Sequence, residues 1–274
     1  MDLKGFCFTG NHDEHSLLSC SVILCFIPMQ LIAAALEEEL KTGLILCGDM
    51  RRIHRKGINL WQAVRGDKTI QFLRTGVGPR RAAESLEKTL MMTTPSEILV
   101  IGYAGALDPR LKLGNLVAVE TAMALSLDES RPDWEHARLG GAFELANCEA
   151  LARSAKHNGL TAYIGDALTS SHVLGAPEHK RLLYEKFQAS IVDMETAALA
   201  SVAACRAIPL SCIRVVSDEA QDRFLEPFSH NPSIHISARA KKLLDTGMIK
   251  TYREWKDHAS VARVSLSRFL SHYL

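Results

Sequence analysis

Short, solid apolar runs alternate with amphipathic stretches along this chain from Gln30 onward. Runs without polar residues at alternate positions are expected of strands covered by helices on both faces. The pattern predicts strands at Gln30–Ala35, Thr69–Thr75, Glu97–Gly102, Leu116–Ala122, Ala162–Thr169, Ala189–Val192 and Leu210–Val216. It predicts helices at Leu36–Leu46, Arg81–Met91, Leu145–Asn158, Pro177–Phe187 and Met194–Arg206, with more helix from about Ile234 onward. Such alternation implies an α/β fold: a three-layer single domain with a central mixed, mostly parallel sheet flanked by helices. No internal repeat, low-complexity tract or linker divides it.

One stretch complicates the N-terminus. Ser16–Leu36 is apolar and nearly uncharged, about long enough to span a bilayer if taken alone. Pro28 interrupts it, Asp13 and Glu14 precede it, and Lys4 is the one positive charge before it. No small-residue cleavage site is clear. The simpler reading starts the domain at Met29, so that residues 29–274 form the fold and residues 1–28 an extension. A membrane contact through residues 16–28 is the alternative.

Composition narrows the class without naming it. At 274 residues, 47% hydrophobic and net charge +1, the chain has a globular make-up. Near-zero charge gives no reason to expect a nucleic-acid partner. The basic cluster Arg51-Arg52-Ile53-His54-Arg55-Lys56 is short, lacks interleaved aromatics and reads as a solvated face. The seven cysteines are scattered, with no Cys-x-x-Cys pair, so neither a disulfide framework nor a zinc site is suggested. That favours a cytoplasmic location.

Chemistry concentrates in residues 190–222. Asp193-Met194-Glu195 and Ser217-Asp218 each close an apolar run, on either side of an amphipathic helix. A carboxylate at the end of a buried strand costs stability, so two of them point to one shared site. Two ordinary strand-to-helix caps would give the same local pattern. Gly76-Val77-Gly78, between a strand and a helix, reads either as a tight turn or as an anion cradle. It lacks the third glycine of a dinucleotide fingerprint. Ligands in open α/β sheets sit at the carboxyl ends of strands. Four such ends here carry candidate residues: Glu37–Glu39, Gly76–Gly78, Gly102–Gly105 and Asp218.

Four of these stretches together resemble the nucleoside phosphorylase and nucleosidase superfamily, on its methylthioadenosine/S-adenosylhomocysteine nucleosidase side. They are Ala35-Leu36-Glu37-Glu38-Glu39, Gly102-Tyr103-Ala104-Gly105-Ala106-Leu107-Asp108-Pro109, Val192-Asp193-Met194-Glu195-Thr196-Ala197-Ala198 and Arg214-Val215-Val216-Ser217-Asp218. The resemblance covers roughly residues 29–222. It implies a nucleoside phosphorylase-like fold and hydrolysis of an N-glycosidic bond, releasing adenine. By that resemblance Asp218, oriented by Ser217, is the general acid at the purine, in the desolvated setting of an apolar strand. Glu39 activates the attacking water, and Arg214 helps position it. Asp193, Met194 and Glu195 bind the ribose, Tyr103, Ala104 and Gly105 form the glycine-rich turn of the site, and Val173 and Leu174 line the purine pocket. Plainer readings stand beside these: Glu39 as a first-turn helix glutamate like Glu37 and Glu38, and Arg214 as half of a structural ion pair.

The chain departs from the family pattern in informative ways. Tyr103 stands where a serine is common, and Asp193 where a glutamate is. The arginines that phosphorolytic members use are replaced by Leu36–Glu39 and by Val100-Ile101. A phosphate dianion needs such cations, so water is the better nucleophile, with Gly76–Gly78 and Arg80 as the remaining candidates for an anion. Asp-Met-Glu and the C-terminal third also resemble the hopanoid-associated phosphorylase branch, whose substrate would be an adenosyl-lipid. The resemblance implies a small-molecule nucleoside substrate, no cofactor, no metal and a homodimer. A phosphate-dependent purine nucleoside phosphorylase, or a non-catalytic nucleoside-binding or storage relative, are the alternatives.

Overall fold

The apolar runs become strands of one sheet in the computed structural model of the protein, which describes residues 29–127, 133–223 and 246–274. Among the described residues ten strands run β1 (Met29–Ala34), β2 (Met50–Arg55), β3 (Ile58–Arg65), β4 (Lys68–Arg74), β5 (Glu97–Ala106), β6 (Leu116–Ser126), β7 (Arg138–Glu144), β8 (Ala162–Thr169), β9 (Ile191–Asp193) and β10 (Leu210–Asp218). The described helices are α1 (Glu37–Leu46), α2 (Pro79–Leu90), α3 (Cys148–His157), α4 (Pro177–Phe187), α5 (Thr196–Ala204) and α6 (Thr246–Tyr273). The expectations for residues 1–28 and for helix at residues 234–245 lie outside the described residues. The end of the long N-terminal apolar stretch is β1, a buried strand between β4 and β5. Among the described residues no helix is long and apolar enough to cross a membrane.

The sheet is mixed. β1 pairs in parallel with β4 and β5, β5 with β10, β6 with β8, and β8 with β9. Antiparallel pairings join β10 to β6, β5 to β9, and β2, β3 and β4 in sequence. Because β5 pairs with both β9 and β10, the strands β5-β10-β6-β8-β9 close into a ring, from which β1-β4-β3-β2 extends. The sequence pattern did not reveal this closure, since it hangs on the three-residue β9.

Solid apolar runs serve a covering on both faces, as β1 shows. Leu31 and Ala33 pack with Ala82 and Leu86 of α2 and with Ala197 and Ala200 of α5. Ile32 and Ala34 face the other way, toward Leu40 of α1, Leu151 of α3 and Leu266 and Phe269 of α6. Successive strand residues point to opposite faces, so a strand between two helical layers has no solvent side. Each large side chain buried this way contributes roughly 1.5–3 kcal/mol. A third cluster, around Leu107, Met123, Leu168, Leu174, Leu183 and Val192, seats α4 against the ring.

Three strands escaped the sequence pattern. β2 is the basic cluster at Arg51–Arg55, mostly exposed at the free edge of the sheet. Charge on an edge discourages pairing with another chain, and Arg52 lies 5.8 Å over the Trp61 ring of β3. β3 and β7 carry half-polar patterns unlike the inner strands.

Candidate active site

Four elements bring their ends to one point. β1 turns into α1 at Ala35–Leu36, and Glu39 sits in the first turn of that helix. Its Oε2 accepts the Leu36 N–H at 2.7 Å, a local cap any first-turn glutamate can make. Its Oε1, however, crosses to the end of β5 and accepts the Tyr103 N–H at 2.9 Å. Glu37 and Glu38 stay exposed, whereas Glu39 is 3% exposed. Burial lifts the Glu39 carboxyl above its ordinary value, while Arg214 and the backbone donors pull the other way.

The glycines of Gly102-Tyr103-Ala104-Gly105 clear space for charged groups. A Cβ on Gly102 (φ +153°) would lie 2.7 Å from Glu39 Oε1 and nearer still to Arg214. A Cβ on Gly105 would lie 2.8 Å from Asp218 Oδ2. No side chain fits at either position without displacing a carboxylate. Tyr103 gives its main chain to the site and packs its half-buried ring with the α1, α3 and α6 cluster.

β9 and β10 supply the remaining charges. Arg214, 1% exposed, sends Nη2 to Asp193 Oδ2 (3.0 Å), Thr196 Oγ1 (2.8 Å) and Glu195 Oε2 (3.4 Å). Its Nε donates to Thr196 Oγ1 at 3.2 Å, and its Nη1 lies 3.5 Å from the Tyr103 carbonyl. Burial works against the Arg214 charge, but Asp193, Cys212, Glu195 and Glu39 together hold its pKa well above the ordinary value. The plain reading of Arg214 as an ion-pair partner is therefore what the geometry contains. Asp193 is equally occupied: it accepts the Thr169 hydroxyl at 2.7 Å, the Glu195 and Thr196 N–H groups at 3.2 Å, and the Thr196 hydroxyl. Thr169, at the end of β8, in turn accepts the Ala197 N–H at 2.9 Å.

Glu195 sits just before α5 with φ −135°, one residue outside the helix, which begins at Thr196 and not at Met194 as the pattern predicted. Its Oε1 accepts the Gly78 N–H at 3.0 Å. The glycine turn ahead of α2 thus serves the protein's own carboxylate. Gly76 and Gly78 adopt φ of +84° and +97°, which favours glycine. Burial pushes the Glu195 carboxyl up to about 7, opposed by Arg214 and reinforced by Asp193 and Glu39.

Asp218 ends β10, within reach of the Gly105 turn. Its Oδ1 accepts the Ser217 hydroxyl at 2.9 Å, and that hydroxyl also lies 3.3 Å from the Ala104 carbonyl. Its Oδ2 accepts Lys180 Nζ at 2.5 Å. Sequence reasoning missed Lys180. The available signal was its place in α4 three residues before the core residue Leu183, on one face of that helix. Of the other candidates, Val173 and Met194 are half-buried, and Leu174 packs into the third cluster. A cavity of about 420 Å³ opens beside Ala35, Thr75, Gly76 and Arg81. Among the described residues no group of His, Cys, Asp and Glu side chains is arranged to hold a metal.

Two consequences are measurable. Arg214→Met strands Asp193 and Glu195 without their cation, and loss of one partner of a buried pair costs about 3–5 kcal/mol. Denaturant unfolding should show that loss as a lower midpoint. The Glu195 value near 7 exceeds its ordinary 4.5, so the folded state binds more protons between those values. Stability from this group is therefore present below about pH 4.5 and is lost as pH rises to about 7. Glu195→Gln should flatten the melting temperature across that window.

Comparison with known proteins identifies the family and the fold. The sequence model described as the phosphorylase superfamily matches residues 22–246. A 5'-methylthioadenosine/S-adenosylhomocysteine nucleosidase of Staphylococcus aureus (strain JH9) is 24% identical over 228 residues, spanning 77% of this chain and 99% of that protein. The nucleosidase of that name from Neisseria meningitidis, solved with methylthio-immucillin-A, superposes with a TM-score of 0.69 at 16% identity. It covers 89% of this chain and 97% of its own. Futalosine hydrolase of Helicobacter pylori gives a TM-score of 0.64 at 21% identity, over 86% and 97% of the two chains. At these identities the structural likeness is one of fold.

Proposed function

The chain belongs to the phosphorylase superfamily, and from that membership we propose that it hydrolyses the N-glycosidic bond of a 5′-substituted adenosine, releasing adenine. One observation carries the choice of water over phosphate. Glu39, Asp193 and Glu195 are buried together around a single arginine whose donors are already directed at protein acceptors. A phosphate dianion brought into that cluster meets three carboxylates and no spare cation from Arg214, whereas water needs only an acceptor.

The residues then divide the work. Glu39, with its carboxyl raised by burial, takes a proton from the attacking water. The hydroxyl bonds to C1′ as the bond from C1′ to purine N9 breaks. The departing electron pair stays on the purine, which takes a proton at N7 from the Asp218 carboxyl, protonated as the purine binds and oriented by Ser217. Glu195, with Met194 beside it, accepts the ribose hydroxyls and steadies the positive charge growing on the sugar. Arg214 and Asp193 act through Glu195 and Glu39 by fixing their places. Ala104 and Gly105 form the wall between sugar and base, Tyr103 fixes Glu39 through its N–H, and Val173, with Leu174 behind it, borders the base.

The 5′ group is methylthio, homocysteinyl or a longer adenosyl-linked tail, and a substrate panel separates them. Methylthioadenosine, adenosylhomocysteine, adenosine, inosine and futalosine are incubated with the protein, and released base is read by chromatography. Adenine from the 5′-substituted adenosines, with little base from inosine or futalosine, is the expected result. Base release from inosine or futalosine alone would overturn the adenine assignment. No release from any of the five would contradict the nucleosidase reading for these 5′ groups.

A further inference from the structure

Lys180 is a charged side chain for which the mechanism above has no task. It is fully buried, and its three donors all go to one place. Nζ donates to Asp218 Oδ2 at 2.5 Å, to the Glu219 carbonyl at 2.7 Å and to the Asp222 carbonyl at 3.3 Å. Taking an ammonium out of water is expensive, and apolar packing of similar volume generally stabilises a fold at least as well as a buried ion pair. Fold stability alone therefore gives little reason for a lysine there.

The location is more telling than the burial. The charged groups of the site form two separate sets. Arg214 serves Asp193 and Glu195 and lies near Glu39. Lys180 serves Asp218 and the turn that follows it. Asp218 is thereby held at both oxygens, Oδ2 by Lys180 and Oδ1 by the Ser217 hydroxyl. Rotation about its side-chain bonds would break one contact or the other. Lys180 also lies near the start of α4, its N–H bonded to the Ala176 carbonyl at 3.0 Å, six residues after Leu174.

We propose that Lys180 is the positioning residue of Asp218: its ammonium clamps Oδ2 and the Glu219–Asp222 turn, so that the carboxyl meets the purine at one fixed angle, tied to the segment that borders the base. This rests on the assignment of Asp218 to the base. Lys180 touches no substrate in this arrangement and acts through the carboxyl alone. A misplacement of about 1 Å at a reacting group costs on the order of a hundredfold in rate.

The test compares Lys180→Met, Lys180→Arg, Asp218→Asn and the Lys180→Met/Asp218→Asn double variant with wild type. On the nucleoside that wild type cleaves fastest, Lys180→Met should lower kcat by about a hundredfold with KM changed by less than about threefold. Lys180→Arg should recover a large part of kcat, since a guanidinium keeps the cation and its donors. The double variant should be no slower than Asp218→Asn. A Lys180→Met enzyme with near-normal kcat, an arginine variant as slow as the methionine one, or a double variant slower than Asp218→Asn would overturn the proposal.

Thermal unfolding of the same proteins keeps the test independent of activity. Lys180→Met leaves Asp218 buried without its cation, and adding Asp218→Asn removes that stranded charge. The double variant should therefore melt above Lys180→Met. Additive losses would sink the clamp even if wild type cleaves none of the nucleosides, an outcome that by itself counts against the proposed function and not against the pair.

Discussion

Glu39→Gln should slow base release by about a hundred- to ten-thousand-fold, the usual worth of a positioned acid–base group, while nucleoside binding stays close to that of wild type. The glutamine keeps the size of the side chain and one carbonyl acceptor. That acceptor can hold either the Leu36 or the Tyr103 N–H, which Glu39 holds together. It cannot take a proton from water. Removal of a buried negative charge beside Asp193 and Glu195 also relieves repulsion, so the variant should remain folded. Equilibrium binding by calorimetry and single-turnover rates on the same preparation separate the two effects. A variant that retains more than about a tenth of the wild-type rate would remove Glu39 from the chemistry, since a general base is worth far more.

Asp218→Asn is expected to lose a similar factor, about a hundred- to ten-thousand-fold, for the opposite reason. The asparagine carbonyl can still receive Lys180, and its amide can still face Ser217, so the pocket is preserved. It has no proton to give to purine N7. The loss should fall on kcat far more than on KM, because the interaction strengthens as the base leaves. A substrate whose base departs without protonation should escape most of the penalty. Nitrophenyl riboside, with its stable phenolate leaving group, is such a probe if it enters the site. Equal losses on both substrates would show that Asp218 supports the fold of the pocket instead of the leaving group.

Much of this arrangement was legible in the sequence. The strands that build the sheet interior announce themselves as unbroken apolar runs, and Ala162–Thr169 and Pro177–Phe187 fall where the pattern put them. The four strand ends could be marked because glycines and carboxylates interrupt those runs abruptly. The edge strand β2, its neighbour β3 and the mostly exposed β7 were not legible, since a strand with a wet face or a free edge lacks that signature. Ring closure depends on β5 pairing with both β9 and β10, and nothing local in β5 encodes two partners of opposite direction.

Pairings made by the charged groups were the least legible part. Gly78 and Glu195 lie 117 residues apart and Lys180 and Asp218 lie 38 apart, yet each pair meets at hydrogen-bond distance. The glycine turn resembled an anion cradle because a cradle and a turn that holds an internal carboxylate use the same backbone donors. Its ligand turned out to be part of the chain. The family resemblance implied that Arg214 helps position the water, beside the plainer reading of an ion-pair partner, and the fold makes it the hub of Asp193, Thr196 and Glu195. Sequence identifies which charges a site contains; only the fold decides which of them remain for the substrate.

That division leads to the most direct measurement. The nucleoside cleaved fastest in the panel is incubated with wild-type protein in phosphate-free buffer and again with added inorganic phosphate, and both adenine and sugar product are followed. A nucleosidase built around Glu39 releases adenine at the same rate in both and yields free sugar without any sugar 1-phosphate. Adenine release that requires phosphate, with a sugar 1-phosphate as the product, would contradict water as the nucleophile and return the carboxylate cluster to a purely structural role.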